Sequence, residues 1–95
     1  MAKTDVIIHD EMDNVGVVVI DKTSPGQDCH CWIMENDKSI KVKSLNNVPL
    51  GHKIALVDLN EGDAILKYGY DIGKVVKSIK KGEYVHVHNV KTKKW

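Results

Sequence analysis

The sequence lacks arginine, lacks a surplus of charge of either sign and lacks a long apolar run. All fourteen basic residues among its 95 are lysines, so bidentate recognition of bases or phosphates by a guanidinium group is excluded. Thirteen acidic residues leave a net charge of +1, which provides no electrostatic footprint for nucleic acid. The longest apolar stretch, residues 15–20, is far shorter than the ~20 residues of a membrane span, and the amino terminus has no signal-peptide core. We therefore expect a cytoplasmic protein that binds neither nucleic acid nor membrane.

Cysteine is also scarce, and the two that exist, Cys29 and Cys31, are separated by one residue. On an extended segment both side chains point to the same side but lie along the strand, which is a poor geometry for a disulfide. One such pair falls short of the four ligands of a structural zinc site. Two reduced, partly buried thiols are the simpler interpretation, and a metal site completed by a distant histidine is the alternative.

What the sequence does contain is a series of short β-branched runs separated by turns. The predicted strands cover residues 5–9, 15–20, 32–34, 40–43, 54–57, 64–66 and 84–88. Residues 72–80 space their apolar positions as a short helix would, although Gly73 weakens that prediction. A chain of this length builds one thin core. We predict a single all-β domain over residues 1–95, with one short helix at most and a flexible tail over about 90–95.

A small internal repeat joins two of these strands to their turns. Residues 59–65 and 79–85 share one pattern: an apolar residue, two polar residues, glycine, an acidic residue, any residue and a β-branched residue. This pattern predicts a turn with positive φ at Gly62 and Gly82 that leads the chain into a strand. Glycine turns between short strands favour a compact, bent β structure with non-local pairing.

Imidazole and amine groups are concentrated in three segments of the second half. His86 and His88, two residues apart on a predicted strand, should leave the same face, where they ligate, transfer protons or are simply solvated. His52 and Lys53 follow a glycine turn, where functional groups are often displayed. Lys67 interrupts an apolar run, so it either extends to water or is a desolvated amine. The sequence contains no nucleophile elbow and no glycine-rich phosphate loop.

Taken together, these segments resemble a known family. The motifs that carry the resemblance are residues 13–17 (DNVGV), 49–56 (PLGHKIAL), 67–69 (KYG) and 86–89 (HVHN), with glycines at 62, 73 and 82. They are similar to the SAF domain of the altronate/galactarate dehydratase family, which occurs as an N-terminal domain or as a separate small subunit. Within it, the length and the ending of this chain resemble most the small (alpha) subunits of the sulfolactate sulfo-lyase group.

The resemblance implies a β-clip fold and a role as the small subunit of a two-subunit lyase. Such enzymes eliminate water or sulfite from a hydroxy acid, in the manner of altronate dehydratase or sulfolactate sulfo-lyase, and we expect this chain to be inactive alone. The reaction needs cations for the substrate carboxylate, an acid for the leaving group and a base for a carbon-bound proton. The residues assigned to the catalytic site are His52, Lys53 and Lys67 for substrate anchoring or proton transfer, and His86 and His88 for proton transfer or contacts at the subunit interface. Tyr68 and Asn89 are assigned to substrate binding.

The same resemblance bears on cofactors and partners. The family is generally iron-dependent, and we expect the iron to be held mainly by the large subunit. This chain offers no carboxylate–histidine ligand set at fixed spacing, so we assign no metal to it. Two alternatives to a catalytic subunit stay open: a non-catalytic module that binds a carbohydrate or carboxylate, and a purely structural partner. A homodimer that hides exposed strand edges, with Trp95 in the contact, is a further expectation.

Overall fold

Nine short strands make up the part of the chain that the structure describes. The structure is a computed structural model, and it describes residues 3–86 and 88–92. The strands are β1 Val6–Ile8, β2 Val15–Val18, β3 Asp28–Ile33, β4 Lys38–Lys43, β5 Lys53–Ala55, β6 Ala64–Lys67, β7 Tyr70–Val75, β8 Tyr84–Val85 and β9 Val90–Thr92. Within these ranges there is no helix, and so none that could cross a membrane. The prediction of an all-β protein is confirmed.

Six strands form the main sheet, in the order β4-β3-β1-β2-β5-β8. Every neighbouring pair is antiparallel except β1 and β3, which run parallel. Because side chains alternate along a strand, each face of the sheet packs a different core. On the first face lies a cluster of ten buried residues: Val6, Ile8, Val18, Cys29, Cys31, Ile33, Val42, Val48, Ile54 and Leu56.

The second face of the main sheet is partly covered by a smaller sheet of three strands, β6-β7-β9. Cross-strand partners Val15 and Ala55 supply this face from β2 and β5, and Val85 supplies it from β8. From the smaller sheet and its turns come Leu59, Ile65, Val75, Ile79 and Val90. The two repeated segments meet in this second core, where Leu59 and Ile79 exchange backbone hydrogen bonds of 2.7 and 2.8 Å.

Three local predictions are wrong. Residues 70–75 form β7 rather than the start of a helix, because Gly73 pairs with both Ile65 and Thr92 in the middle of the smaller sheet. The strand predicted over 84–88 ends at Val85, since the carbonyl of His86 closes a turn. Residues 90–92 are not a tail but the edge strand β9. Residues 93–95, including Trp95 and the contact predicted for it, lie outside the described residues.

Candidate functional site

A repeated glycine turn leads the chain into β6 and again into β8. In each copy the backbone N–H of the first turn residue donates to the acidic side chain of the fourth turn residue. Asn60 donates to Asp63 at 2.8 Å, and Lys80 donates to Glu83 at 2.6 Å. The glycines between them have φ of +96° at position 62 and +91° at position 82. The prediction from the sequence repeat is therefore confirmed. The second copy fixes where β8 starts, and with it the direction of Tyr84.

Two asparagine amides close the outer edge of β8. The backbone N–H of Tyr84 donates to Asn46 Oδ1 at 2.9 Å, and Asn89 Nδ2 donates to the carbonyl of Tyr84 at 2.8 Å. Asn89 Oδ1 in turn accepts the N–H of His86 at 2.9 Å. Asn89 was predicted to bind substrate, but its side chain is 5% exposed, and both the nitrogen and the oxygen of its amide are hydrogen-bonded to backbone groups. Its role in this structure is to position the turn that carries His86 and His88.

Beside this edge, three imidazoles surround the Tyr84 ring in a group that we call the imidazole cluster (His52, Tyr84, His86 and His88). The Tyr84 hydroxyl and His52 Nδ1 are 2.7 Å apart, in a hydrogen bond whose donor depends on the tautomer of the imidazole. The centroid of the His86 ring is 5.2 Å from that of His52 and 5.3 Å from that of Tyr84. The His88 centroid is 5.7 Å from Tyr84 and 6.4 Å from His86. The structure therefore brings together all three histidines predicted for the site.

The imidazole cluster combines a fixed inner pair with an open outer pair. His52 and Tyr84 are half-buried, and the hydrogen bond between them occupies Nδ1 of His52. Nε2 is therefore the ring nitrogen of His52 that can exchange a proton with a ligand. His86 and His88 are exposed. Imidazoles held at a fixed angle by a hydroxyl are suited to transfer protons to a bound substrate. Such a cluster can act as an acid or a base for a ligand that approaches over the outer pair.

The two predicted lysines lie outside the imidazole cluster, Lys53 on the other face of the main sheet and Lys67 at the end of β6 in the smaller sheet. Tyr84 is the cross-strand partner of Ile54 on the first face, whereas Lys53 is the partner of Val85 on the second. Burial, and to a smaller extent the positive charge of Lys67, lower the pKa of Lys53. The structure thus separates the predicted catalytic residues into the imidazole cluster, Lys53 on the other face of the β5–β8 edge, and Lys67 in the smaller sheet.

The turn between β6 and β7 carries Lys67 and Tyr68, and a carboxylate holds it in place. Asp13, which is 7% exposed, accepts the backbone N–H of Tyr68 at 2.9 Å and that of Gly69 at 2.8 Å. Tyr68 has φ of +55°, a conformation that costs a non-glycine residue about 1–3 kcal/mol. Its ring stacks on His9 with centroids 3.8 Å apart, and Lys67 Nζ lies 5.2 Å from its centroid. Tyr68, predicted to bind substrate, therefore lies beside Lys67 and His9.

Both cysteines are buried and free, which confirms the interpretation as reduced thiols. Desolvation by burial, with smaller contributions from Cys29 and Asp5, raises the pKa of the Cys31 thiol to about 12. Burial also raises the pKa of Cys29. Thiols of this kind are inert core residues, and neither lies in the imidazole cluster.

The described residues do not fit a metal ion. Throughout residues 3–86 and 88–92, no group of three or more His, Cys, Asp or Glu side chains is arranged to hold one. In the imidazole cluster the Nδ1 atom of His52 is already hydrogen-bonded to the Tyr84 hydroxyl. We derive no chemical step through a metal on this chain.

Two residues that organise these groups, Tyr84 and Asp13, are not among the predicted site residues. Tyr84 lies two residues before His86, and that spacing on a predicted strand was a signal that the two side chains share a face. Asp13 had no such signal, because its bonds to Tyr68 and Gly69 span 55 and 56 residues of sequence.

Comparison with known proteins shows what this chain is similar to. The family described as the altronate/galactarate dehydratase SAF domain matches residues 4–93. The (2R)-sulfolactate sulfo-lyase subunit alpha of Chromohalobacter salexigens is 47% identical over 91 residues, which cover 96% of this chain and 97% of that protein. The subunit of the same name from Paracoccus pantotrophus is 40% identical over 65 residues, 68% of this chain and 97% of that protein. The altronate dehydratase of Bacillus subtilis is 40% identical over 90 residues, which cover 95% of this chain but 16% of that enzyme. The chain belongs to the altronate/galactarate dehydratase SAF domain family.

Proposed function

We propose that this chain is the small subunit of a two-subunit lyase that eliminates water or sulfite from a small hydroxy acid. Two relatives, one of nearly the same length and one shorter, are named as subunit alpha of a sulfo-lyase, and in altronate dehydratase the equivalent segment is a small part of a longer enzyme. A domain that occurs both as a separate subunit and as a segment of a longer enzyme functions together with a larger polypeptide. We therefore expect the isolated chain to be inactive.

The imidazole cluster is the observation that carries this proposal. In a 2-hydroxy acid with a leaving group at C3, a base removes the C2 proton, the C2–C3 double bond forms and the leaving group departs with its electron pair. The enol then takes a proton at C3 and becomes a keto acid. We assign the proton transfers of this sequence to His52, oriented by Tyr84, and to the exposed His86 and His88.

The partner completes the site. The imidazole cluster supplies no guanidinium and no lysine for the acid's carboxylate, so we assign anion binding and the iron that the family implies to the large subunit. A cytoplasmic location is part of the proposal, and the two unpaired cysteines support it because reduced thiols persist in the reducing cytosol.

The test compares the isolated chain with the complex that it forms with its large subunit. Each is supplied with sulfolactate, altronate and galactarate, and both sulfite and keto acid are measured. The proposal predicts no product from either subunit alone and product from the complex with one of these acids. Turnover by the large subunit alone at the rate of the complex would contradict it.

A non-catalytic or purely structural module is the competing function, and the imidazole cluster separates it from a catalytic subunit. If a complex carrying both His52→Gln and His86→Gln keeps wild-type turnover and wild-type subunit affinity, the cluster has no part in catalysis or assembly. In that case the chain serves the enzyme through some other surface.

A further inference from the structure

A buried pair of hydroxyl groups holds the loop that follows β4. Thr23 and Ser44 are both 0% exposed, and their hydroxyl oxygens are 2.7 Å apart. Both hydroxyls also contact the carbonyl oxygen of Asn46, Thr23 Oγ1 at 2.8 Å and Ser44 Oγ at 2.7 Å. The backbone N–H of Val48 donates to Thr23 Oγ1 at 3.0 Å. Buried hydroxyls cost free energy unless they are hydrogen-bonded, so these contacts favour one arrangement of the loop.

The count of protons in this group keeps the Asn46 carbonyl in place. Each hydroxyl supplies one proton, so the two hydroxyls have two protons for the three contacts among the oxygen atoms. The two protons cannot both lie between Thr23 and Ser44, and at least one hydroxyl therefore donates to the carbonyl of Asn46. If that carbonyl turned away, a buried hydroxyl would lose its acceptor. The backbone of Asn46 is thus fixed from the interior of the protein.

From this fixed backbone the Asn46 side chain reaches β8, the last strand of the main sheet. Its Oδ1 accepts the backbone N–H of Tyr84 at 2.9 Å, at the position where the carbonyl of a further strand would accept it. β8 is two residues long, and its pairs with β5 are Ile54 with Tyr84 and Lys53 with Val85. So short a strand has few hydrogen bonds to fix its direction, and the bond from Asn46 is one of them.

The direction of β8 decides whether the Tyr84 hydroxyl meets His52. His52 lies two residues before Ile54, the cross-strand partner of Tyr84, so His52 and Tyr84 are diagonal neighbours on one face. Diagonal neighbours are about 7–8 Å apart, a distance that a long side chain spans only when it is aimed correctly. The Tyr84 hydroxyl does span it, and lies 2.7 Å from His52 Nδ1. A displacement of β8 would therefore change this contact directly.

We propose that Asn46 is a positioning residue for proton transfer by the imidazole cluster, acting on His52 through the backbone and the hydroxyl of Tyr84. This inference rests on the proposed function, which assigns proton transfer to His52. The buried hydroxyl pair, Thr23 and Ser44, belongs to the same network because it holds the backbone from which the Asn46 side chain extends. A displacement of about 1 Å in a catalytic group can cost about a hundredfold in rate, so a residue outside the cluster can control the rate of proton transfer.

The experiment is a double-mutant cycle on the complex of the full-length small subunit with its large subunit. It measures kcat of keto-acid formation at saturating small subunit and saturating hydroxy acid. Asn46→Ala removes the acceptor of the Tyr84 N–H and should lower kcat at least about tenfold, with KM and the dissociation constant between the subunits unchanged. In a complex that already carries His52→Gln, Asn46→Ala should change kcat less than about twofold, because a residue that acts through His52 has no effect once the imidazole is gone.

Two further variants are the matched controls, and hydrogen exchange adds a readout that does not depend on activity. Asn46→Asp keeps an acceptor oxygen for the Tyr84 N–H, so it should retain most of the wild-type kcat at its own pH optimum. Asn47→Ala changes the exposed asparagine next to it and should turn over as the wild type does. The Tyr84 amide should exchange faster in Asn46→Ala than in the wild type or in Asn46→Asp. The Ile79 amide, which donates to the carbonyl of Leu59, should exchange equally in all of them.

Three results would overturn this role of Asn46. Wild-type kcat in the Asn46→Ala complex would show that the bond to Tyr84 does not matter to the reaction. An equal loss of kcat with and without the His52 imidazole would make the role of Asn46 structural only. Weakened subunit affinity with wild-type kcat would place Asn46 in the subunit interface. If His52→Gln alone leaves kcat at the wild-type value, the proposed proton transfer fails together with this inference, and that single variant distinguishes this outcome from the other three.

Discussion

The two copies of the repeated turn permit a comparison in which each glycine is the control for the other. Gly62 and Gly82 occupy the same turn position with φ of +96° and +91°. A Cβ atom added at Gly62 meets no other atom within 4 Å. At Gly82 the added Cβ would overlap the carbonyl oxygen of Lys43 and lie 3.4 Å from Leu45 Cγ. Substituting alanine at each position therefore separates the cost of positive φ from the cost of the close approach.

The magnitudes follow from these environments. Positive φ costs an alanine about 1–2 kcal/mol, and this is the whole loss expected for Gly62→Ala. Gly82 is also held by hydrogen bonds from its own N–H to Ala55 at 2.9 Å and from the Leu45 N–H to its carbonyl at 2.8 Å. Relieving the overlap with Lys43 moves the turn and breaks at least one of them, which adds about 1–3 kcal/mol. We expect Gly82→Ala to lower the free energy of unfolding by about 2–5 kcal/mol.

Urea denaturation followed by tryptophan fluorescence measures both losses on the isolated chain. A small domain has about 5–15 kcal/mol of stability in all, so Gly82→Ala should unfold at a much lower urea concentration than Gly62→Ala. The same displacement should reach β8 and disturb the hydrogen bond between Tyr84 and His52. Equal losses for the two variants would refute the close approach at Gly82 and the packing of this turn against β4.

The remaining predictions concern three other features of the structure. Both cysteines should resist a thiol reagent at pH 8 in the native protein and react fully in denaturant, because burial raises their pKa values. Full reaction of the native protein would contradict their burial. Lys53→Met should raise the free energy of unfolding by about 0.5 kcal/mol in urea titrations, a small gain because water screens a half-buried amine, while Lys41→Met should not. Because the pKa of Lys53 is lowered in the folded state, the unfolded chain binds more protons than the folded chain, and the stability of the wild type rises as the pH approaches 10.5. The stability gained by Lys53→Met should therefore shrink at that pH. Asp13→Asn should lower the free energy of unfolding by about 2 kcal/mol, because three backbone N–H groups lose a carboxylate acceptor. The matched variant Asp21→Asn, at an exposed position, should leave the free energy of unfolding almost unchanged. Equal losses of stability in the two variants would refute the role of Asp13.

The β architecture and its repeated turns were predictable because their signals are local. Positive φ at Gly62 and Gly82 follows from spacing within seven residues, and β-branched runs mark most of the strands. The helix predicted over 72–80 failed because the apolar positions of β7 are buried through pairing with β6 and β9, which periodicity within one segment cannot show.

The residues of the candidate site were easier to predict from the sequence than the way in which the fold groups them. His52, His86 and His88 do meet, although His86 and His88 leave a turn rather than a strand face. Lys53 is separated from His52 because neighbouring side chains of an extended segment point to opposite faces. Which face each group occupies depends on where the smaller sheet packs, and that depends on bonds such as Asp13 to Gly69 between distant parts of the chain.

The most direct test of the imidazole cluster is the kcat of keto-acid formation by the two-subunit complex with His52→Gln, measured at saturating small subunit. His30→Gln is the matched control, because His30 is a half-buried histidine on β3 that alternates with Cys29 and Cys31 of the first face and so lies on the other face of the main sheet from the cluster. General acid–base catalysis contributes about 10²–10⁴-fold, so we predict a loss of at least a hundredfold for His52→Gln and none for His30→Gln. A His52→Gln complex that turns over as fast as the His30→Gln complex would contradict proton transfer by this cluster.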